Sequence, residues 1–330
     1  MNLVSKENID TASISSKLKV LEVIKLIFLT INYMRVNRMR FGCCGNLIAT
    51  GPDKTGIEFV EKIATLGYDY VELPLAEMMA LSISEFVALK ERVYKSGIRC
   101  EACNNLFPTQ VRLTGPKVNR QQISEYINSA IERAAELGVG VLVFGSGGAK
   151  RVPDNFHQAE ALAQIVAETK LLAEVAGRHN ITIAIEPMRR PDCNIINSFA
   201  EGVELAKLVN CANVKVLIDI YHMVCEKESP NVLLKYGKEY LAHIHFSNPH
   251  IPCIDGSVDS AKINTLFEWD LAKKGWWRTF PTNLKEWDYG PFIKAVQALG
   301  YNGRISVEAP TTNFDEQAKE ALALLKITFA

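Results

Sequence analysis

Eight short runs of apolar and β-branched residues recur along the chain, at Arg40–Cys44, Tyr70–Leu73, Arg99–Cys103, Val141–Phe144, Thr182–Glu186, Lys215–Asp219, Ala242–Phe246 and Arg304–Glu308. Near-continuous apolar character, rather than strict alternation, is what parallel strands show when both faces are covered. The segments between them have helical spacing. Ile57, Val60 and Ile63 share a face, as do Phe86, Leu89 and Val93, and as do Ile123, Ile127, Ala130, Ile131, Ala134 and Leu137. Steps of three and four turn these residues toward a sheet. One joint repeats: a helix ends in Gly or Asn and a strand follows, at Leu66-Gly67, Ser96-Gly97, Leu137-Gly138, His179-Asn180 and Leu299-Gly300. A residue that tolerates the left-handed conformation ends a helix cleanly. Serial βα units of this kind predict an α/β protein whose eight strands close into a (β/α)8 barrel. An open doubly wound sheet would want a G-x-G-x-x-G loop after its first strand, and Gly42–Gly51 has none. Gly145-Ser146-Gly147-Gly148 lacks phosphate-loop spacing to Lys150 and reads as an ordinary loop.

At 330 residues the chain is longer than the roughly 250 typical of one barrel. Two segments account for the excess. Residues 1–38 precede the first strand and are expected to be an N-terminal extension, either a helix or a translated upstream start. Within them Val20–Ile31 is too short and too charged to cross a membrane, and no small-residue cleavage site follows it. Residues 39–330 form the expected catalytic barrel. Its insertion at about 249–288 holds Trp269, Trp276, Trp277 and Trp287, a composition suited to a lid or a subunit contact, or simply to packing of the insertion itself. Lys plus Arg equals Asp plus Glu at 37 each, so no electrostatic footprint for nucleic acid or an anionic membrane exists. The 8 cysteines have no disulfide-framework spacing, and the Cys100-x-x-Cys103 pair has no second pair to complete a zinc site. Reduced core thiols, a cytoplasmic location and a homo-oligomer are expected.

In such a barrel the C-terminal strand ends surround the active site. Glu186, Asp219, His245 and Glu308 stand at or near the ends of the fifth to eighth strands, each after an apolar run. One carboxylate there is commonly a cap or an ion-pair partner. Three carboxylates and an imidazole around one point need a strong positive charge, which one divalent metal ion supplies. Mixed oxygen and nitrogen donors suit Mn2+, Mg2+ or Co2+. His243 and His245 share a strand face, so both are expected inside the barrel, with His245 nearer the metal and His243 in the core or behind it.

Several stretches carry a resemblance: Ile185-Glu186-Pro187, Asp192–Asn197, Asp219-Ile220-Tyr221-His222-Met223, His243-Ile244-His245, and Gly300-Tyr301 through Ser306-Val307-Glu308. From about Met39 onward the chain resembles the sugar phosphate isomerase/epimerase superfamily of xylose isomerase-like TIM barrels. Within it the chain is most similar to ketose 3-epimerases, such as the D-tagatose and D-psicose 3-epimerases. The resemblance implies a metal held by Glu186, Asp219, His245 and Glu308, with Glu186 and Glu308 also acting as bases on opposite faces of the epimerised carbon. It implies that His222 contacts a substrate oxygen near the carbonyl. Asp192 stands where the family usually has a substrate-binding Glu. The family's Arg-x-x-Pro after the metal histidine is missing at Ser247–Pro252, whereas Arg278-Thr279-Phe280-Pro281 has that form beyond the insertion. Arg278 is therefore expected to fold back to the substrate.

The implied partner is a small sugar or sugar phosphate. Glu72, Asn104, Asn105, Arg112, Arg151 and His157 are placed to line a pocket at the first four strands, with Arg151 a candidate for a phosphate. The same ligand set would serve an aldose–ketose or hydroxypyruvate-type isomerase or a polyol dehydratase. An endonuclease IV-like repair enzyme wants histidines where Glu72 and Asn104 stand. A barrel that has lost activity and only binds sugar or scaffolds is the alternative of another class.

Overall fold

In the computed structural model, residues 38–249, 278–285 and 287–329 are described. The expected N-terminal extension and most of the insertion, with Trp269, Trp276 and Trp277, lie outside them. Eight parallel strands close into a barrel: β1 (Arg40–Cys44), β2 (Tyr70–Pro74), β3 (Cys100–Asn104), β4 (Val141–Phe144), β5 (Thr182–Ile185), β6 (Val214–Asp219), β7 (Leu241–Phe246) and β8 (Arg304–Val307). Each strand pairs with its sequence neighbours, and β1 closes on β8 with Arg40 opposite Arg304 and Cys43 opposite Val307. Strand bounds differ from the hydrophobic runs by one residue where they differ. Glu186 and Glu308 fall just past β5 and β8, yet their backbone N–H groups still donate to Phe144 and Phe246.

The strands are apolar on both faces because they serve two cores. Helix faces carrying Ile63, Leu89, Ile127, Ile165, Val203 and Leu325 pack on the outer face of the barrel. A smaller cluster of Tyr70, Ala102, Val141, Val143, Ala184 and Leu217 fills its interior. The joints behave as their residues demand: Gly67, Gly97, Gly138, Asn180 and Gly300 all have positive φ, and Asn210 adds a sixth joint of the same kind. At the N-terminal end of the barrel, Glu101 on β3 pairs with Arg40 on β1 and Arg304 on β8. Among the described residues no helix is long and apolar enough to cross a membrane.

Beyond β7, Asn248–Pro249 pairs antiparallel with Arg278–Thr279, with Pro249 opposite Arg278. The insertion therefore leaves and re-enters the barrel at one point. That ladder places Arg278 beside the end of β7, although 33 positions separate it from His245.

Candidate active site

Glu186, Asp219, His245 and Glu308 come from neighbouring strands and meet at the C-terminal mouth. One donor atom of each lies within 4.8 Å of all the others, and all four residues are buried. His245 Nδ1 is 3.1 Å from both Glu186 Oε1 and Glu308 Oε2. Asp219 divides its oxygens: Oδ1 accepts the Tyr221 backbone N–H at 2.8 Å and caps the helix Ile220–Cys225, which leaves Oδ2 for the cluster. Gly145, at the end of β4, makes room for Glu186, since a Cβ there would sit 2.0 Å from Glu186 Oε2.

Arg278 reaches the same point. Its Nη1 donates to Asp219 Oδ2 at 2.6 Å and lies 3.0 Å from Glu308 Oε2. Even so, the cluster is short of positive charge. Burial pushes the Asp219 carboxyl up to about 7, against the pull of Arg278. Burial also works against ionisation of Glu308, but Arg278 and His245 outweigh it and hold that carboxyl well below the usual range. For His245, burial disfavours the charged ring, yet Glu308 and Glu72 prevail and hold it well above an ordinary histidine. A buried oxygen-rich set with one imidazole and too few cations fits a divalent metal ion, which Glu186, Asp219, His245 Nδ1 and Glu308 would hold.

The other His245 nitrogen is already committed. Nε2 lies 2.9 Å from Glu72 Oε1, while Glu72 Oε2 meets His243 Nε2 at 2.8 Å and accepts from Ser306 Oγ at 2.6 Å. Tyr70 Oη lies 2.7 Å from Ser306 Oγ and completes the chain. Glu72 and both histidines have no exposed surface, and their carboxylate charge is compensated: despite burial, His245 and His243 hold Glu72 below the usual carboxylate range. Glu72 thus does not line the pocket. It lies beneath His245, and because an ionised carboxylate only accepts, it fixes a proton on Nε2 and leaves Nδ1 facing the glutamates. Cys44 Sγ is 4.0 Å from the same Nε2, but burial keeps its thiol protonated, which makes it a poor ligand.

His222 is buried beside Asp219. Its Nδ1 accepts the Arg189 N–H at 3.3 Å, and its Nε2 is 3.6 Å from Asp219 Oδ2. Burial, then the charge of Arg278, holds it well below an ordinary histidine, so the ring is neutral. Asp192 is paired with Arg189 at 2.7 Å and only partly exposed. Asn104 donates Nδ2 to Glu308 Oε1 at 3.3 Å. Of the remaining candidates, Arg112 donates to the Gly148 and Arg151 carbonyls and ties down the loop after β4. Arg151 donates to the Pro191 carbonyl. His157 is exposed at a helix start.

Besides Ser306 and Tyr70 beneath His245, two contributors next to the glutamates were not foreseen from the sequence. Asn46, after β1, donates Nδ2 to Glu308 Oε1 at 3.1 Å. Its Oδ1 and that of Asn104 are buried without a hydrogen-bond partner. Lys150 is fully buried, and its Nζ donates to the Phe144 and Glu186 carbonyls at 3.1 and 3.2 Å, clamping the backbone at Glu186. A strand-end position could have flagged Asn46. A lysine in a small-residue loop that is not a phosphate loop could have flagged Lys150.

Residues 60–328 match the family described as xylose isomerase-like TIM barrel. The chain belongs to this family. Among curated proteins, a D-psicose 3-epimerase of Agrobacterium fabrum is 26% identical over 277 residues, covering 80% of this chain and 90% of that protein. A D-psicose 3-epimerase of Ruminiclostridium cellulolyticum is 26% identical over 197 residues, 57% of this chain but only 64% of its own length. Among solved structures, D-psicose 3-epimerase with D-tagatose from Clostridium cellulolyticum H10 superposes with a TM-score of 0.70 at 18% identity, over 88% of this chain and 99% of that one. This likeness establishes the shared xylose isomerase-like barrel fold.

Proposed function

We propose that the protein is a divalent-metal-dependent ketose 3-epimerase. One observation carries this reading: two glutamates, following β5 and β8, stand on either side of Asp219 and His245 and share one ligand point with them. The family and the names of its curated relatives support the class of reaction.

A proton on carbon next to a carbonyl is weakly acidic, and its removal needs both a base and stabilisation of the enediolate charge. A bound Mn2+, Mg2+ or Co2+ would supply Lewis-acid charge for the substrate's carbonyl and adjacent hydroxyl. The remaining work falls to the chain. One of Glu186 and Glu308 takes the proton from one face of the carbon, and the other returns a proton to the opposite face. His222, neutral and with Nδ1 occupied as an acceptor, presents Nε2–H to an oxygen near the carbonyl. Arg278 adds a fixed positive charge beside Asp219 and Glu308. The orphaned Oδ1 atoms of Asn46 and Asn104 are buried acceptors that substrate hydroxyls would satisfy. Asp192, held by Arg189 and partly open, is the acceptor proposed for a further hydroxyl. A panel of ketoses, free and substituted, incubated with each of the three metals should yield the C3 epimer of at least one sugar, resolved by chromatography. Failure of every sugar with every metal would contradict the proposal.

A further inference from the structure

The groups assigned to the metal and to the carbonyl end of the substrate come from one half of the barrel. The four candidate ligands belong to β5–β8, His222 follows β6, and Arg278 lies beside β7. The rest of the sugar therefore extends toward β1–β4. On that side of the same face is a cavity of about 950 Å3, lined by segments that follow all four strands, including Lys54, Glu77, Asn105, Phe107, Thr109 and Ser146. After β3 and β4 its wall starts at the position next to a residue that contacts one of the glutamates. Asn104 touches Glu308 and Asn105 is in the wall; Gly145 backs Glu186 and Ser146 is in the wall. Ligand pockets that bury a drug-sized molecule span about 300–1,000 Å3, so this space is far larger than the tail of one ketose requires. Its chemistry is hydroxyl-matching rather than phosphate-binding. Asp53, Glu77 and Glu85 outnumber Lys54, amides stand at Asn105 and Gln110, and Phe107 and Pro108 add apolar surface. Three of the eight described non-glycine residues with positive φ, Lys54, Asn105 and Ser146, are in this wall. Such backbone conformations cost energy and concentrate at ligand-binding positions.

We infer that the substrate is a neutral glycosyl-ketose, with the ketose at the carboxylate cluster and a second sugar in the β1–β4 cavity. This rests on the epimerase reading and narrows it: neither a free ketose nor a sugar phosphate is the preferred substrate.

The test compares three probes on the full chain with Mn2+: D-fructose, 6-O-glucosyl-fructose and fructose 6-phosphate. C3 epimerisation of the glucosyl sugar should have a kcat/KM at least tenfold above that of fructose, with the phosphate below fructose. Thr109→Trp, at an exposed position where a large ring does not disturb the core, should shrink the glucosyl-to-fructose ratio at least tenfold. Melting temperature and Mn2+ content verify that this variant is folded and loaded, and Ala80→Trp in the same wall serves if it is not. Fructose turned over as well as its glucosyl derivative, or a ratio unmoved in a folded Trp variant, would overturn the inference and leave the epimerase reading intact. Preference for the phosphate would overturn the neutral-sugar assignment. No turnover of any probe would overturn the epimerase reading and the inference together.

Discussion

Replacing Glu72 by Gln removes a negative charge beneath the candidate metal site while keeping the side chain's volume. The carboxylate contacts His245 Nε2 at 2.9 Å, His243 Nε2 at 2.8 Å and Ser306 Oγ at 2.6 Å, none of them reachable by water. An amide presents N–H groups on one side. If these face His245, the imidazole must accept at Nε2 and carry its proton on Nδ1, which disables it as a ligand. If they face Ser306 and His243, the His245 tautomer survives but loses the charge that makes Nδ1 basic. Hydrogen bonds to charged groups are worth about 1.5–3 kcal/mol and neutral ones about 0.5–1.5. The metal-free protein should therefore lose on the order of 1–3 kcal/mol of stability. Outer partners of metal-binding histidines typically control about 10- to 100-fold in affinity, equivalent to about 1.4–2.7 kcal/mol. Isothermal titration of Mn2+ into wild-type and Glu72→Gln protein measures the second effect, and urea unfolding of the chelated proteins measures the first. A purely structural role would lower stability and leave affinity alone. A Mn2+ dissociation constant within twofold of wild type would refute the tautomer argument.

Three further outcomes follow from the same geometry. Thorough chelation should lower the melting temperature, because a ligand bound only by the folded state stabilises it; unchanged melting would contradict a bound metal. Gly145→Ala should cost little stability, about 1 kcal/mol or less, since the clash is with the movable end of Glu186. It should nevertheless weaken Mn2+ binding, and unaltered binding would mean that Glu186 is not held there for the metal. Arg278→Ala should raise KM or lower kcat at least tenfold while metal content by elemental analysis stays near one ion per chain; wild-type kinetics would reduce Arg278 to a bystander.

The barrel was legible because strands covered on both sides are mostly apolar, and because the helix-to-strand joints need a left-handed residue. Those two signals placed each strand to within a residue. The four candidate ligands were legible for a related reason: a charged residue closing an apolar run has few inexpensive roles. Glu72 was misplaced because sequence gives a residue's strand but not its depth in the barrel. Two positions before the end of β2, it points inward below the mouth and meets histidines 171 and 173 positions away. Ser306 and Tyr70 were silent for the same reason, as their value lies in cross-strand partners. Arg278 was placed by its local motif, but the ladder that brings it home pairs Pro249 with Arg278 across the insertion. Lys150 is held by two backbone carbonyls, partners that no side-chain pattern reveals.

Proton transfer by two carboxylates facing one carbon leaves an isotopic signature, which turnover in deuterated water reads. Metal-loaded protein converting its ketose in D2O should place one deuterium at C3 of the product, read by proton NMR and mass spectrometry. Glu186→Gln and Glu308→Gln should each lose epimerisation by several orders of magnitude, and one of them should still exchange the C3 proton of unconverted substrate from the face its remaining base serves. Product formed with no solvent deuterium at C3 would contradict two-base epimerisation and favour a hydride shift between adjacent carbons, the chemistry of an aldose–ketose isomerase.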